Sequence, residues 1–107
     1  MSLPGPLPGL VVRYRYLWAD VPDADAVRVY VLPITHSVPA KGADAMEIPS
    51  AVRRAAGLDA ERAWVVLSEF NEFAWPGFDL DVVPNRSPRT VAYGFLTPGF
   101  FVKLRNR

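Results

Sequence analysis

Cysteine is absent from this 107-residue chain, so disulfides, thiolate metal ligands and a cysteine nucleophile are excluded. Histidine occurs once, at His36, which excludes a His-rich metal site on one chain. An excess of charge of either sign is also lacking. Twelve Lys+Arg against 11 Asp+Glu leave a formal +1, so affinity for a polyanion would have to come from a local patch. Uninterrupted apolar runs fall far short of the ~18 residues of a membrane helix. The segment Met1–Leu10 has neither the basic start nor the continuous apolar core of a signal peptide. These absences lead to the expectation of a soluble, cytoplasmic protein with no membrane partner. There is no phosphate-binding glycine loop, no Gly-x-Ser-x-Gly and no His-Glu-x-x-His. No metal and no cofactor are expected.

Half of the residues are hydrophobic, 12% are aromatic and 21% are charged, a globular composition too apolar for intrinsic disorder. A chain of this length buries roughly two-thirds of its unfolded surface, enough for one modest core. Eleven prolines and seven glycines, spread along the sequence, argue against long helices. Residues 1–9 read as a flexible Pro/Gly-rich tail, and 10–107 as a single domain.

Periodicity predicts the elements. Val12 to Tyr16 alternates, with Arg13 and Arg15 on one face and Val12, Tyr14 and Tyr16 on the other, as in a half-buried strand. Val27–Leu32 is a second strand, and Pro33 ends its regular pairing because it has no N–H. Thr35, His36 and Ser37 follow in a polar loop. Ala45–Ile48 reads as a short strand. Pro49 and Ser50 open a helix over Ala51–Ala56, with Gly57 as its C-cap. Leu58–Glu61 is a turn. Ala63–Leu67 is a strand buried on both faces. Asp79–Val83 is a short edge strand and Thr90–Gly94 a last strand. Thr97 caps a terminal helix from Pro98 to about Arg105, with Phe100, Phe101 and Leu104 as its apolar stripe. Short strands between Gly/Pro turns, with two short helices, predict a mainly β (α+β) domain built as a small antiparallel barrel.

Three groups could carry chemistry. Thr35, His36 and Ser37 sit just after a strand end, where a sheet can position them. His36 could shuttle a proton or hold a phosphate, and the two hydroxyls could donate to phosphate oxygens. The plainer alternative is that Thr35 and Ser37 satisfy turn backbone groups. In the second group, alternation places Glu69, Asn71 and Phe73 on one face, so Glu69 and Asn71 could line a groove beside Trp75. Here the alternative is that Trp75 and the phenylalanines are core or dimer contacts. The third group is the arginines. Arg13 and Arg15 share a face, Arg28 could lie on a neighbouring strand, and Arg86 and Arg89 share a loop. Clustered, they would form a cationic groove; dispersed, they are ordinary surface charges.

These segments carry a resemblance. Leu32-Pro33-Ile34-Thr35, closing a Val-rich strand, is similar to the Pro-Ile-Thr signature of the PemK/MazF-like toxins. Around it lie a Val-Val-x-Tyr strand near the N-terminus, the Met46-Glu47-Ile48-Pro49 strand and the Trp64-Val65-Val66-Leu67 strand. The string Leu32–His36, with Tyr16-Leu17-Trp18 and Glu69-x-Asn71-x-Phe73-x-Trp75-Pro76-Gly77, resembles a poorly characterised PemK-like branch of that family. The likeness spans about residues 10–107. It implies an SH3-like β-barrel with a C-terminal helix, a homodimer, and inhibition by a cognate antitoxin peptide in a type II toxin–antitoxin system. Typical members are endoribonucleases that cut single-stranded RNA without a metal, by attack of the ribose 2′-hydroxyl on the adjacent phosphate. An arginine assists proton transfer and a threonine holds the phosphate. By match to the motif, Thr35 takes the threonine role.

One departure concerns the arginine. The family's Arg-Pro, which precedes the Pro-Ile-Thr strand, is not found between Trp18 and Val27. Either that segment is missing, leaving Arg13, Arg15 or Arg28 to substitute, or the molecule carries residues there that this sequence omits. A non-catalytic nucleic-acid- or peptide-binding module on the same barrel is the alternative function. A third reading is an interaction protein that docks a partner helix on Phe70, Phe73 and Trp75.

Overall fold

The computed structural model describes residues 5, 7–14, 27–69, 71–75 and 80–106. The chain is α+β. In order come β1 (Leu10–Val12), β2 (Arg28–Val31), β3 (Ile34–Thr35), β4 (Ala45–Glu47), α1 (Ser50–Ala55), β5 (Trp64–Val66), β6 (Asn71–Ala74), β7 (Ala92–Phe95) and α2 (Pro98–Arg105). Among the described residues every strand pairing is antiparallel. The sheets are β1–β7, β2–β6 and β3–β5–β4.

Two of these sheets are parts of one ribbon. β2 runs through Leu32 and Pro33 into β3, and their partners β6 and β5 are likewise consecutive strands of the chain. Val31 lies opposite Asn71, and Ile34 opposite Val65. The break falls at Pro33, which has no N–H for the ladder. Its carbonyl still accepts a hydrogen bond from the Val66 N–H at 3.0 Å. Pairing then resumes over Ile34 and Thr35, so Thr35 is a strand residue and not the loop residue expected from sequence.

The period of two in the three-stranded sheet separates core from surface. Ile34, Val65 and Met46 lie directly opposite one another and face inward; Thr35, Trp64 and Glu47 form the row on the other face. The inner row joins Ile48, Ala63, Phe100 and Leu104 in the core. Phe100 and Leu104 are four apart on α2, so one helical face covers the sheet.

Two arginines are built into this framework. Arg53 of α1 is buried, donates from Nη1 to the Ile48 carbonyl at 2.7 Å, and lies 3.5 Å from the Ala60 carbonyl through Nη2. It ties the turn over residues 58–61 to the end of β4. Arg86 bridges Gly57 and β7, donating to the Gly57 carbonyl at 2.8 Å and the Tyr93 carbonyl at 2.9 Å. Gly57 itself has φ +76°, and a Cβ there would run into the Tyr93 carbonyl. Glycine is therefore required where α1 ends against β7.

Other expectations need correction. The first strand stops at Val12, after a register shift between Val11 and Val12. Tyr14 rejoins only through a single bridge to Leu80, so within the described residues the Asp79–Val83 edge strand reduces to that bridge. Arg13 and Arg28 are not on neighbouring strands, because β1 pairs with β7 and β2 with β6. Arg15 and Tyr16 lie outside the described residues, as do Phe70 and most of the expected tail. Leu96 donates to the carbonyl of Gly9 at 2.9 Å and Leu10 to that of Leu7 at 3.2 Å, so the end of the expected tail is hydrogen-bonded to the domain.

Candidate functional site at the end of the three-stranded sheet

The outer row Thr35–Trp64–Glu47 places a hydroxyl, an indole and a carboxylate side by side. Arg62, two residues before Trp64, shares its face. Its guanidinium lies 4.9 Å from the centroid of the Trp64 ring, a cation–π distance. The same guanidinium grips Glu47 through two bonds, Nε to Oε2 and Nη2 to Oε1, both 2.8 Å. This fork fixes the charge across the sheet. Trp64 is buried although it is on the outer face.

His36 follows β3 directly. Its Nδ1 lies 2.9 Å from the Arg62 carbonyl. A carbonyl only accepts, so Nδ1 carries the proton. Nε2 faces two carboxylates, Asp59 Oδ2 at 3.4 Å and Glu61 Oε2 at 3.8 Å. The Ser37 N–H donates to Thr35 Oγ1 at 3.0 Å, which closes a turn and leaves the hydroxyl hydrogen able to donate elsewhere.

The protonation preferences follow from these contacts. The His36 imidazole is held above its ordinary range, first by the backbone bond to Arg62 and then by the charges of Asp59 and Glu61. Glu47 is held below the usual carboxylate range, chiefly by its bonds from Arg62. A raised histidine favours the folded state while the ring is charged. Its contribution is complete below the ordinary imidazole value and fades as pH rises through the folded value. In an NMR titration, the His36 ring protons are expected to show a midpoint above that of free histidine. Asp59→Asn with Glu61→Gln should bring it down, and an unchanged midpoint would contradict the assignment. Glu47 behaves oppositely: its contribution is present above the ordinary glutamate value and is lost as pH falls through the lowered one.

The other sequence-predicted residues lie elsewhere. Arg13 donates from Nη1 to the Val82 carbonyl at 3.1 Å, and its Nε is 3.8 Å from Asp81. Arg28 pairs with Glu72 across β2–β6 at 3.4 Å. From Arg28 to His36 the ribbon advances eight residues, on the order of 25 Å if extended. Glu69 and Asn71 are exposed at the start of β6, and Trp75, half-buried, follows its end with its N–H on the Val27 carbonyl at 2.8 Å. The structure thus brings together Thr35, His36 and Ser37 and adds Arg62, Glu47, Asp59 and Glu61. The Arg62-x-Trp64 spacing held a local signal for one of these; the acids depend on register and turn geometry.

No protein-family model, no curated protein and no solved structure matches the chain. Among the described residues, no helix is long and apolar enough to cross a membrane.

Proposed function

We propose that the chain is a PemK/MazF-like module that acts on single-stranded RNA at the outer face of the β3–β5–β4 sheet. The observation that supports this reading is the row in which Thr35 and Glu47 flank Trp64, with Arg62 stacked on that ring and bonded to Glu47, and His36 bonded to the Arg62 carbonyl. Arg62 supplies the guanidinium that the Arg-Pro segment gives typical members, since it stacks on the residue directly opposite Thr35. In the reaction, Arg62 turns from Glu47 to a non-bridging phosphate oxygen, and the Thr35 hydroxyl donates to the other. Glu47 takes the proton of the ribose 2′-hydroxyl, whose oxygen attacks phosphorus. The bond to the 5′-oxygen breaks, and the His36 imidazolium delivers its proton there. The products are a 2′,3′-cyclic phosphate and a 5′-hydroxyl. Trp75 lies beside Val27 at the far end of β6, so the base it can stack belongs to a stretch of RNA well beyond the cleaved step. On this reading the sheets close into an SH3-like barrel, two copies pair, an antitoxin peptide covers the face, and the protein works in the cytoplasm.

A second reading is a module on the same face that binds without cutting. It is favoured by the two bonds that commit Arg62 to Glu47 and by the acids beside His36, which repel phosphate. Single-stranded RNA incubated with the chain in EDTA separates the two. Fragments ending in cyclic phosphate support cleavage. Intact RNA bound in a salt-sensitive manner supports the second reading. Neither binding nor fragments would overturn both.

A further inference from the structure

Beside the proposed RNA-contacting row, three ligand atoms of different chemistry converge on one point. They are His36 Nε2, Asp59 Oδ2 and Glu61 Oε2, all within 4.8 Å of one another. We propose that these three groups bind one divalent transition-metal cation of the zinc type, with water completing its shell.

The spacing fits such an ion. Bonds of about 2.0–2.2 Å in a tetrahedral shell set neighbouring ligand atoms about 3.3–3.6 Å apart. The two oxygens lie 3.4 and 3.8 Å from Nε2, so small side-chain rotations bring all three to bonding distance. The histidine is already in the tautomer a metal needs. Its Nδ1–H is given to the Arg62 carbonyl, which belongs to none of the three ligands, and this leaves the Nε2 lone pair directed at the carboxylates. A backbone carbonyl on the far ring nitrogen is the usual outer partner of a metal-bound histidine.

The acids are also held in place. Asp59 Oδ1 accepts the Glu61 N–H at 3.0 Å, which turns Oδ2 toward the ring. The intervening Ala60 carbonyl lies 3.5 Å from the buried Arg53 guanidinium, so the turn that carries both acids is attached to the core. All three ligands are exposed, which leaves positions for water and a path of entry. An imidazole with two carboxylate oxygens selects zinc-type ions over magnesium, which prefers oxygen alone.

Protons compete with the metal. Metal affinity therefore rises with pH over the range in which His36 deprotonates. A bound ion would also occupy the nitrogen that proton transfer uses in the proposed cleavage, so metal and RNA chemistry would exclude one another there.

The test is a titration of the metal-stripped full chain with zinc chloride at slightly alkaline pH, in the absence of RNA. It is followed by calorimetry and by the His36 ring signals in NMR. The expected result is saturation at one zinc per chain with the ring signals shifted. His36→Gln, and separately Asp59→Asn with Glu61→Gln, should each weaken binding by at least about tenfold while the backbone spectrum stays native. The melting temperature of the wild type should rise with zinc and return with EDTA, and that of His36→Gln should not move. Unsaturable binding, or equal binding by wild type and variants, would mark adsorption to the surface and overturn the site. Because no RNA is present, this result and that of the cleavage experiment stand independently.

Discussion

Phe100→Ala is expected to destabilise the fold by about 3–5 kcal/mol, the usual cost of emptying a buried phenylalanine site. Phe100 is buried on the inner face of α2, one turn before Leu104, and packs in the cluster of Ile48, Ala63 and Val65. The space cannot easily refill, because the opposing surface is a paired sheet and α1 is fixed by Arg53 and by the Gly57 cap. Domains of this size have about 5–15 kcal/mol in total, so the variant should sit near the threshold of unfolding. Urea denaturation checks this through a lowered midpoint at unchanged slope. Val102→Ala, on the exposed side of the same helix, should change stability by no more than about 0.5 kcal/mol. Equal effects of the two substitutions would contradict the packing of α2 described above.

His36→Ala is expected to reduce metal-free RNA cleavage by about 10²–10⁴-fold, the range for loss of a positioned proton donor. The ring is exposed and belongs to no packed cluster, so stability should fall little. RNA affinity should also change little, because Arg62 and Thr35 remain. The combination matters: a lost rate with retained binding assigns His36 to the chemical step, whereas an unchanged rate removes it. Arg62→Ala should act differently, by weakening RNA binding and lowering its salt dependence by roughly one phosphate contact.

Local chemistry made much of the fold legible. Thr97 followed by Pro98, with apolar residues at 100 and 104, gives α2 at its observed bounds. Pro49, Ser50 and Gly57 bracket α1 to within one residue. The cores of β4 and β5 follow from their β-branched or apolar runs. What could not be read was pairing. β3 has only two residues after a proline and no periodicity of its own, so Thr35 reads as loop until Trp64 is seen opposite. The same long-range pairing separates Arg13, just past the end of β1, from Arg28 in β2, and each has a nearby acid.

Charge misleads in a second way. Arg53, a charged residue on a short helix, carries its guanidinium to a backbone carbonyl in the interior. Arg86 reads as part of a cationic loop and instead bridges α1 and β7. In the candidate site, Thr35, His36 and Ser37 were visible as chemistry after a strand. Glu47, Arg62 and the acids at 59 and 61 gain meaning only when register, face and turn bring them to the same sheet end.

Backbone and side-chain NMR mapping with a short single-stranded RNA, in EDTA, tests the location of the RNA face most directly. The expected result is that Thr35, His36, Arg62 and the Trp64 indole shift together on titration, while Arg13 and Arg28 remain still. Shifts confined to other surfaces, or none at RNA concentrations where other probes detect binding, would contradict it.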